Sequence, residues 1–301
     1  MTGDTFTHPL PERTLLRRLL TLLALGITPG PVAVLAQSFT CTVPARSNEG
    51  RMLAHFAAPL AFSANGPGRA LPAGTIVLGG DLTWIPAPSG GSASSSGLCG
   101  FSKPEHTGLS PVFPRPRIAV SLGGGVSVEA MYLPPVTVLD ATPNMGSVAV
   151  AWTRDLGETA GAVGLTLRAH GTFGHVNGPV TCPRSALQQS APSAPCYGTV
   201  PSDDRYAPNV LGAEASLSTI RGAWAWFGGA GYNRSSPHFQ VGFQGTVGPK
   251  DENQVQLSVN RVAVFAGGAY AVTRRVDLTA QVYSVPEDAT TGRVGILWRL
   301  R

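Results

Sequence analysis

Residues 162–175 read AVGLTLRAHGTFGH, and apolar and polar side chains alternate along this stretch. The apolar residues occupy odd-numbered positions: Val163, Leu165, Leu167, Ala169 and Phe173. The even-numbered positions include Thr166, Arg168, His170 and Thr172. Because successive side chains of a β-strand point to opposite faces, this alternation predicts a strand with one apolar and one polar face.

The same period-two pattern recurs along the rest of the chain. Clear examples are residues 126–132, 211–217, 276–284 and 293–300, and weaker ones are residues 75–86, 117–122 and 146–154. Two longer runs, residues 222–245 and 254–272, are joined by a polar turn at 246–253. Together these segments predict ten strands. The outer half of the long hairpin should project beyond a bilayer, because each run is about twice the length needed to cross one.

The composition of the 301-residue chain supports an all-β fold. Hydrophobic residues make 43% and charged residues 13%, which is too apolar for a disordered chain. The 37 glycines and 26 prolines interrupt almost every window long enough for a helix. Outside the N-terminus no run of 18 apolar residues occurs, which excludes a polytopic helical membrane protein.

The first 36 residues have the pattern of an export signal. Arg13, Arg17 and Arg18 precede the short apolar run at 19–27, and small residues lead to a cleavage site after Ala36. A core helix of a soluble domain is the alternative for this run. The net charge of +5 does not indicate nucleic-acid binding, because there are only two lysines and the arginines are scattered.

Four cysteines follow the predicted signal, and an even number in an exported chain predicts two disulfides. Cys182 and Cys196 flank a loop rich in Ser, Pro and Gln, so a local bridge between them is the simplest pairing and leaves Cys41 with Cys99. The spacing does not fit a zinc site, and no metal is expected.

The connections between the predicted strands alternate in length. Those at 123–125, 155–161, 219–221 and 273–275 are short, whereas those at 87–116, 135–145, 176–208, 246–253 and 285–291 are mostly longer. Short turns at one end and long loops at the other are typical of outer-membrane barrels, whose short turns are periplasmic. An even strand count then predicts that the N- and C-termini are both periplasmic.

In these features the chain resembles a bacterial outer-membrane β-barrel protein. The resemblance is architectural, covers most of residues 74–301, and implies an antiparallel up-and-down transmembrane β-barrel of about ten strands, with eight or twelve as alternatives. It also implies outer-membrane lipid and the barrel assembly machinery as partners. The assembly signal of such proteins usually ends on an aromatic residue, whereas this chain ends Trp298-Arg299-Leu300-Arg301, so Trp298 takes that part three residues early. A secreted soluble β-sandwich that acts as a binding module is the competing fold.

Residues 37–73 fit the strand pattern least well. The stretch RMLAHFAAPLAFS at 51–63 carries Leu53, Phe56, Ala57 and Leu60 at helical spacing, but Pro59 would interrupt a helix. This N-terminal segment is therefore expected to be a periplasmic or lumen-filling segment, with an extra strand as the alternative.

The sequence contains no recognisable catalytic or cofactor-binding motif, and neither a catalytic residue nor a cofactor is predicted. Instead, charged and polar side chains on the predicted lumen faces should pair into a structural network, because a barrel of about ten strands is filled by side chains. Its predicted members are Asp81, Glu129, Arg168, His170, Glu214, Asp277, Gln281, Arg293 and Arg299. A barrel hydrolase that uses His170 is the enzymatic alternative.

The aromatic residues are predicted to form girdles at the two membrane interfaces. The candidates are Trp84, Tyr132, Trp152, Trp224, Trp226, Tyr270 and Trp298, although Trp224 and Trp226 could instead line an apolar ligand site. The function that this architecture favours is passive transport of small apolar or amphipathic solutes, with a small apolar ligand as a candidate partner. A structural or surface-binding barrel without a pore is the alternative.

Overall fold

A computed structural model describes residues 38–88, 99, 111–157 and 163–300. The predicted signal peptide lies outside the described residues. The strands are β1 Thr40–Thr42, β2 Ile76–Trp84, β3 Val112–Gly123, β4 Val126–Leu133, β5 Thr142–Asp155, β6 Val163–Gly178, β7 Asp204–Ala207, β8 Val210–Arg221, β9 Trp224–Ser235, β10 His238–Gln240, β11 Gln254–Gln256, β12 Val259–Ala271, β13 Val276–Val285 and β14 Ala289–Arg299. One α-helix, α1, spans Asn48–Ala57, and 3₁₀ turns span Ala58–Leu60 and Arg184–Ala186.

Ten of these strands close into an antiparallel barrel in the order β2, β3, β4, β5, β6, β8, β9, β12, β13, β14. The seam is the pairing of β14 with β2, from Arg293 opposite Thr83 to Arg299 opposite Val77. Closure satisfies the backbone hydrogen bonds of both seam strands and removes the exposed edges of an open sheet. The predicted all-β barrel of about ten strands is confirmed.

Strand β3 begins at Val112, five residues earlier than the alternation predicts, and it therefore includes Pro114 and Pro116. Both prolines pair with β2, whereas the pairing of β3 with β4 begins only at Ile118. Proline cannot donate to a ladder, so it is tolerated where one side of the strand is unpaired. Pro237 likewise lies in the break between β9 and β10.

The two ends of the barrel differ in the length of their connections, and we call them the turn end and the loop end. The turn end has the short connections β3–β4, β8–β9 and β12–β13. The loop end has the long connections β2–β3, β6–β8 and β9–β12. The β13–β14 connection at 286–288 is shorter than predicted, because β14 begins already at Ala289.

The turn between β3 and β4 depends on glycine. Gly125 has a φ of +80°, and a Cβ at this position would lie 2.0 Å from the carbonyl oxygen of Thr153. Gly124 also has a positive φ, +60°, but a Cβ there would meet nothing within 4 Å. At Gly124 only the positive φ favours glycine. At Gly125 the positive φ is combined with a close approach of the Thr153 backbone, which leaves no room for a Cβ.

We expect Gly125→Ala to destabilise the barrel by about 3 kcal/mol and Gly124→Ala by only about 1 kcal/mol, since the second substitution adds backbone strain without a clash. Urea-induced unfolding from lipid vesicles, followed by tryptophan fluorescence, measures both. Equal losses of stability for the two variants would show that the close approach of Gly125 to Thr153 does not add to the cost of a side chain.

A small extension sheet stands at the loop end. β7 pairs antiparallel with the end of β6, β10 pairs with β7 and β11, and β1 adds to β11 in parallel, with Thr40 opposite Gln254. The outer part of the long hairpin therefore projects beyond the barrel strands, as its length predicts. Two disulfides lie at this end, Cys41–Cys99 and Cys182–Cys196.

The N-terminal segment starts at the loop end and enters the barrel from there. Ser47 caps α1 by accepting a hydrogen bond from the Gly50 N–H, and the helix ends before Pro59 as the sequence predicts. Residues 61–73, which we call the plug segment, run through the lumen to the turn end, where β2 begins. The segment thus caps the loop end and fills the lumen, and it adds no strand to the barrel itself.

This path corrects the prediction that both termini lie on one side. Thr40–Thr42 pair with Gln254–Gln256 at the loop end, whereas Arg299 pairs with Val77 at the turn end. The even strand count does bring the ends of the barrel itself, Ile76 and Arg299, to the same side. The plug segment then crosses the lumen once more, which places β1 and α1 at the opposite end.

Candidate functional site

The lumen is occupied by the plug segment, whose backbone is held by side chains of the wall. Side chains of three strands, β3, β6 and β8, donate to its carbonyl oxygens. Arg115 Nη1 donates to Ala61 (3.0 Å), Arg117 Nη2 to Ser63 (3.1 Å), Ser218 Oγ to Gly68 (3.0 Å) and Ser121 Oγ to Leu71 (2.8 Å), and Arg168 Nη1 donates to Phe62. In return, the Ala64 N–H donates to Glu214 Oε1 at 2.8 Å. These bonds satisfy a buried backbone that has no sheet partner of its own.

Charged side chains form a continuous ladder across the β2, β3, β4, β6 and β8 side of the lumen. Asp81 accepts from Arg115 Nε (2.7 Å) and from Arg117 Nε (2.6 Å). Glu129 bridges Arg117 and Arg168 with 2.7 Å contacts to each, and Glu214 lies 3.3 Å from Arg168. Side chains of the Asp81 pairs are at most 3% exposed. Buried charges of this kind require partners, and here every carboxylate serves one or two guanidiniums.

Phe62 of the plug segment lies between two arginines of this ladder. The guanidinium carbon of Arg117 is 4.4 Å from the centroid of the Phe62 ring, and that of Arg168 is 5.0 Å away. An aromatic face attracts a cation at these distances. Phe62 is fully buried, so it anchors the segment by packing as well as by these contacts.

Of the nine predicted network residues, seven lie buried on inner faces: Asp81, Arg168, His170, Glu214, Asp277, Gln281 and Arg293. Glu129 belongs to the ladder, and Arg299 pairs with Asp277 at the turn end (3.1 Å), where Arg69 also approaches Asp277 (3.7 Å). The prediction missed Arg115 and Arg117, although they alternate with the prolines of β3 and so carry the same period-two signal.

His170 is not arranged as a catalytic base. Its side chain is 1% exposed and its Nε2 lies 4.0 Å from Glu214 Oε2, while its Nδ1 has no hydrogen-bond partner among the described residues. A hydrolytic site needs a nucleophile or an activated water within reach of the base and a path for substrate. The surroundings of His170 are instead wall side chains and the plug segment.

Helix α1 closes the loop end of the barrel. Its His55 ring contacts the carbonyl oxygens of Asp288 (3.1 Å) and Pro86 (2.9 Å), and the Tyr206 hydroxyl donates to the Leu53 carbonyl at 2.9 Å. Burial raises the pKa of Tyr206 well above its ordinary value, so the hydroxyl remains a donor. The cap is further tied to the β2–β3 loop by the Cys41–Cys99 disulfide.

Between this helix and the barrel wall lies an apolar cavity of about 250 Å³. Leu53 and Phe56 of α1 line one side, and Phe113, Leu133 and Val176 line the other. A few polar residues, among them Asn177 and Thr181, also contribute to its lining. An apolar cavity with few polar groups is the usual form of a small-molecule site, although this one is slightly smaller than usual.

The outer wall of the barrel is apolar. Outward positions of the ten strands carry many exposed large hydrophobic residues, such as Leu82, Val148, Leu167, Leu217, Val264 and Ile296. A soluble protein does not expose an apolar surface that runs around its whole barrel, whereas lipid requires one. The barrel therefore contacts lipid, and the soluble sandwich alternative is excluded.

All seven predicted interfacial aromatics are exposed on this outer wall, at two levels. Trp84 and Tyr132 lie near the loop end, and Trp152, Trp224, Trp226, Tyr270 and Trp298 lie near the turn end. On β9, Trp224 and Tyr232 are eight residues apart, which corresponds to roughly 20 Å along the membrane normal for a strand tilted by about 40°. Trp224 and Trp226 stack on each other, with centroids 5.9 Å apart.

In the described part of the chain, no group of three His, Cys, Asp or Glu side chains is placed to hold a metal ion. Nor do the described residues include a helix long and apolar enough to cross a membrane.

Among known proteins, no family model and no curated sequence matches the chain. Solved structures of similar form include Ail, the attachment invasion locus protein of Yersinia pestis (10% identity, covering 76% of this chain and 99% of that one, TM-score 0.28). Others are Neisserial surface protein A (13%, 74% and 96%, 0.28) and the outer membrane protease OmpT from Escherichia coli (12%, 75% and 92%, 0.33). Identities near a tenth and TM-scores below 0.5 carry nothing about ligand, activity or partner.

Proposed function

We propose that this chain, a transmembrane β-barrel of the bacterial outer-membrane type, is a closed barrel that binds small apolar or amphipathic molecules at its loop end. The observation that carries the proposal is the apolar cavity between α1 and the wall, above a lumen filled by the plug segment. The long loops of such barrels are extracellular, so the cavity would be open to molecules outside the cell.

The chemistry of the cavity supports a small ligand rather than a whole lipid. Its volume of about 250 Å³ is below the range of about 300–1,000 Å³ that is usual for drug-sized ligands. Its apolar lining favours burial of the hydrocarbon part of a ligand. Its few polar groups, such as Asn177 and Thr181, can bind one polar end of that ligand.

The same architecture suggests how the chain reaches its place. We propose that the segment at 1–36 is a signal that is removed, that the barrel assembly machinery inserts residues 74–301, and that the exposed aromatics form the two interfacial girdles. In this scheme the charge ladder is a structural network that fixes the plug segment.

We expect Ala141→Phe to abolish binding of a small apolar probe, because the new ring would occupy the cavity that Ala141 lines. The probe is 4-fluorotoluene, followed by ¹⁹F NMR with the barrel in detergent micelles. Ala266→Phe is the matched control, since Ala266 is exposed on the lipid-facing wall and the substitution adds the same ring.

Wild type and Ala266→Phe should both show a saturable bound signal, which Ala141→Phe lacks. If all three proteins give only the unsaturable partitioning of the probe into micelles, the cavity is not a ligand site.

Passive transport of such solutes is a second candidate function, and one observation favours it. The plug segment carries neither helix nor strand, and side chains of the wall hold it by donating to its backbone. Its release would therefore open the lumen without breaking the backbone hydrogen bonds between the barrel strands. Transport predicts conductance when the cap at the loop end is freed, whereas pure binding predicts none.

A further inference from the structure

A cluster of buried polar side chains lies beside the plug segment, against the inner faces of β13 and β14. In the strand register, Thr279 lies opposite Gly295 and Gln281 lies opposite Arg293. Asn65 of the plug segment lies over this patch, since a Cβ on Gly295 would come within 2.5 Å of Asn65 Nδ2 and 2.9 Å of Thr279 Oγ1. Arg293 also donates to Ser63 Oγ, two residues before Asn65, so the four polar side chains are neighbours along the plug segment.

These four side chains leave polar atoms unpaired within the described part of the chain. The atoms are Asn65 Nδ2 and Oδ1, Thr279 Oγ1, Gln281 Nε2 and Oε1, and Arg293 Nε. Each of the four residues is at most 5% exposed. Since unpaired buried donors are costly, the two amide N–H groups, the Thr279 hydroxyl and the Arg293 Nε–H together indicate a bound species that accepts hydrogen bonds.

The charges around the cluster favour an anion as that species. The middle of the lumen holds four arginines, of which three share the carboxylates Asp81, Glu129 and Glu214. The fourth, Arg293, has no carboxylate within 4.0 Å among the described residues; it lies over the Tyr283 ring and donates to the carbonyls of Pro59 and Ala61. Arginine stays protonated, so one buried positive charge lacks a counter-charge.

We propose that this cluster binds one small monovalent inorganic anion of the size of chloride. The amide N–H groups of Asn65 and Gln281, the Arg293 Nε–H and the Thr279 hydroxyl are the donors. The missing side chain of Gly295 allows Asn65 to approach the wall closely, because a Cβ there would lie 2.5 Å from Asn65 Nδ2. The anion neutralises Arg293, and through Asn65 it links the plug segment to the wall of the barrel.

The direct test is a crystal structure of the purified full-length barrel grown in sodium bromide, with anomalous data at the bromine edge. We expect one buried anomalous peak between Asn65, Gln281 and Arg293. A buried site without an anomalous peak, whether it holds waters or nothing, would overturn the proposal.

A solution measurement is independent of crystal growth. The Tm of the barrel in detergent should be about 3 °C higher in sodium chloride than in sodium gluconate of equal ionic strength, and the increase should saturate with chloride. Gln281→Leu should remove this difference; because Gln281 makes no hydrogen bond within the described residues, the substitution leaves no protein group unpaired.

Gln256→Leu at the loop end is the control and should keep the wild-type response. An equal Tm in the two salts for the wild type would refute the anion site, whereas the apolar cavity at the loop end would be unaffected by that result.

Discussion

Asp81→Asn is expected to destabilise the barrel by about 3–5 kcal/mol, more than any other single isosteric change in the lumen. Asp81 accepts hydrogen bonds from both Arg115 and Arg117, and all three side chains are buried. An asparagine keeps the shape but removes the counter-charge, so two guanidiniums would remain buried without it. The measurement is urea-induced unfolding from lipid vesicles, followed through the five tryptophans.

The matched control for this prediction is Asp277→Asn at the turn end. Asp277 also serves two arginines, but Arg69 and Arg299 are 25% and 16% exposed, so water screens the pair and the expected loss is about 1 kcal/mol or less. Adding Arg115→Met to Asp81→Asn should recover about half of the loss of stability, since it removes one of the two buried guanidiniums that Asp81 neutralises. Equal losses for Asp81→Asn and Asp277→Asn would show that the ladder is not a buried network.

The second large effect is expected from the double variant Cys41→Ser with Cys99→Ser. This disulfide closes a loop with a sequence separation of 58 residues, so its removal should cost roughly 4 kcal/mol. The cap formed by β1 and α1 would then be held only by contacts such as those of His55 and Tyr206. If the barrel transports solutes, frequent channel openings should appear in planar bilayers, where the wild type is closed.

The control here is Cys182→Ser with Cys196→Ser, which releases a local loop with a separation of 14 residues and leaves the cap attached. It should lose roughly 3 kcal/mol and stay closed. Openings in both double variants would indicate general loosening of the loop end. A closed barrel in both would leave binding as the function and end the transport hypothesis.

The strands could be predicted from the sequence because lipid and lumen impose opposite requirements on neighbouring residues. Arg168 and His170 point inward and Leu167 and Ala169 outward, as the alternation predicts. The path of residues 61–73 could not be predicted, because their backbone is satisfied by distant side chains such as Arg117 and Glu214. No local periodicity records such contacts, and for the same reason the sequence does not predict at which end of the barrel β1 and α1 lie.

Which charged side chains pair with one another inside the lumen could not be predicted from the sequence either. Alternation predicts which charged residues face inward, but the choice of partner depends on shear and register around a closed barrel. Asp81 therefore pairs with Arg115 and Arg117 of the neighbouring strand, and not with Arg168, Arg293 or Arg299.

The Cys41–Cys99 bond closes a covalent ring that contains both the plug segment and a strand of the barrel wall. From Cys41 the backbone descends through the middle of the barrel as the plug segment, turns, and ascends in the wall as β2 before it returns to Cys99. Once this ring is oxidised around a closed seam, the plug segment cannot be withdrawn through the turn end without breaking a covalent bond. The pairing of β14 with β2 encloses the plug segment, and the Cys41–Cys99 bond keeps it enclosed.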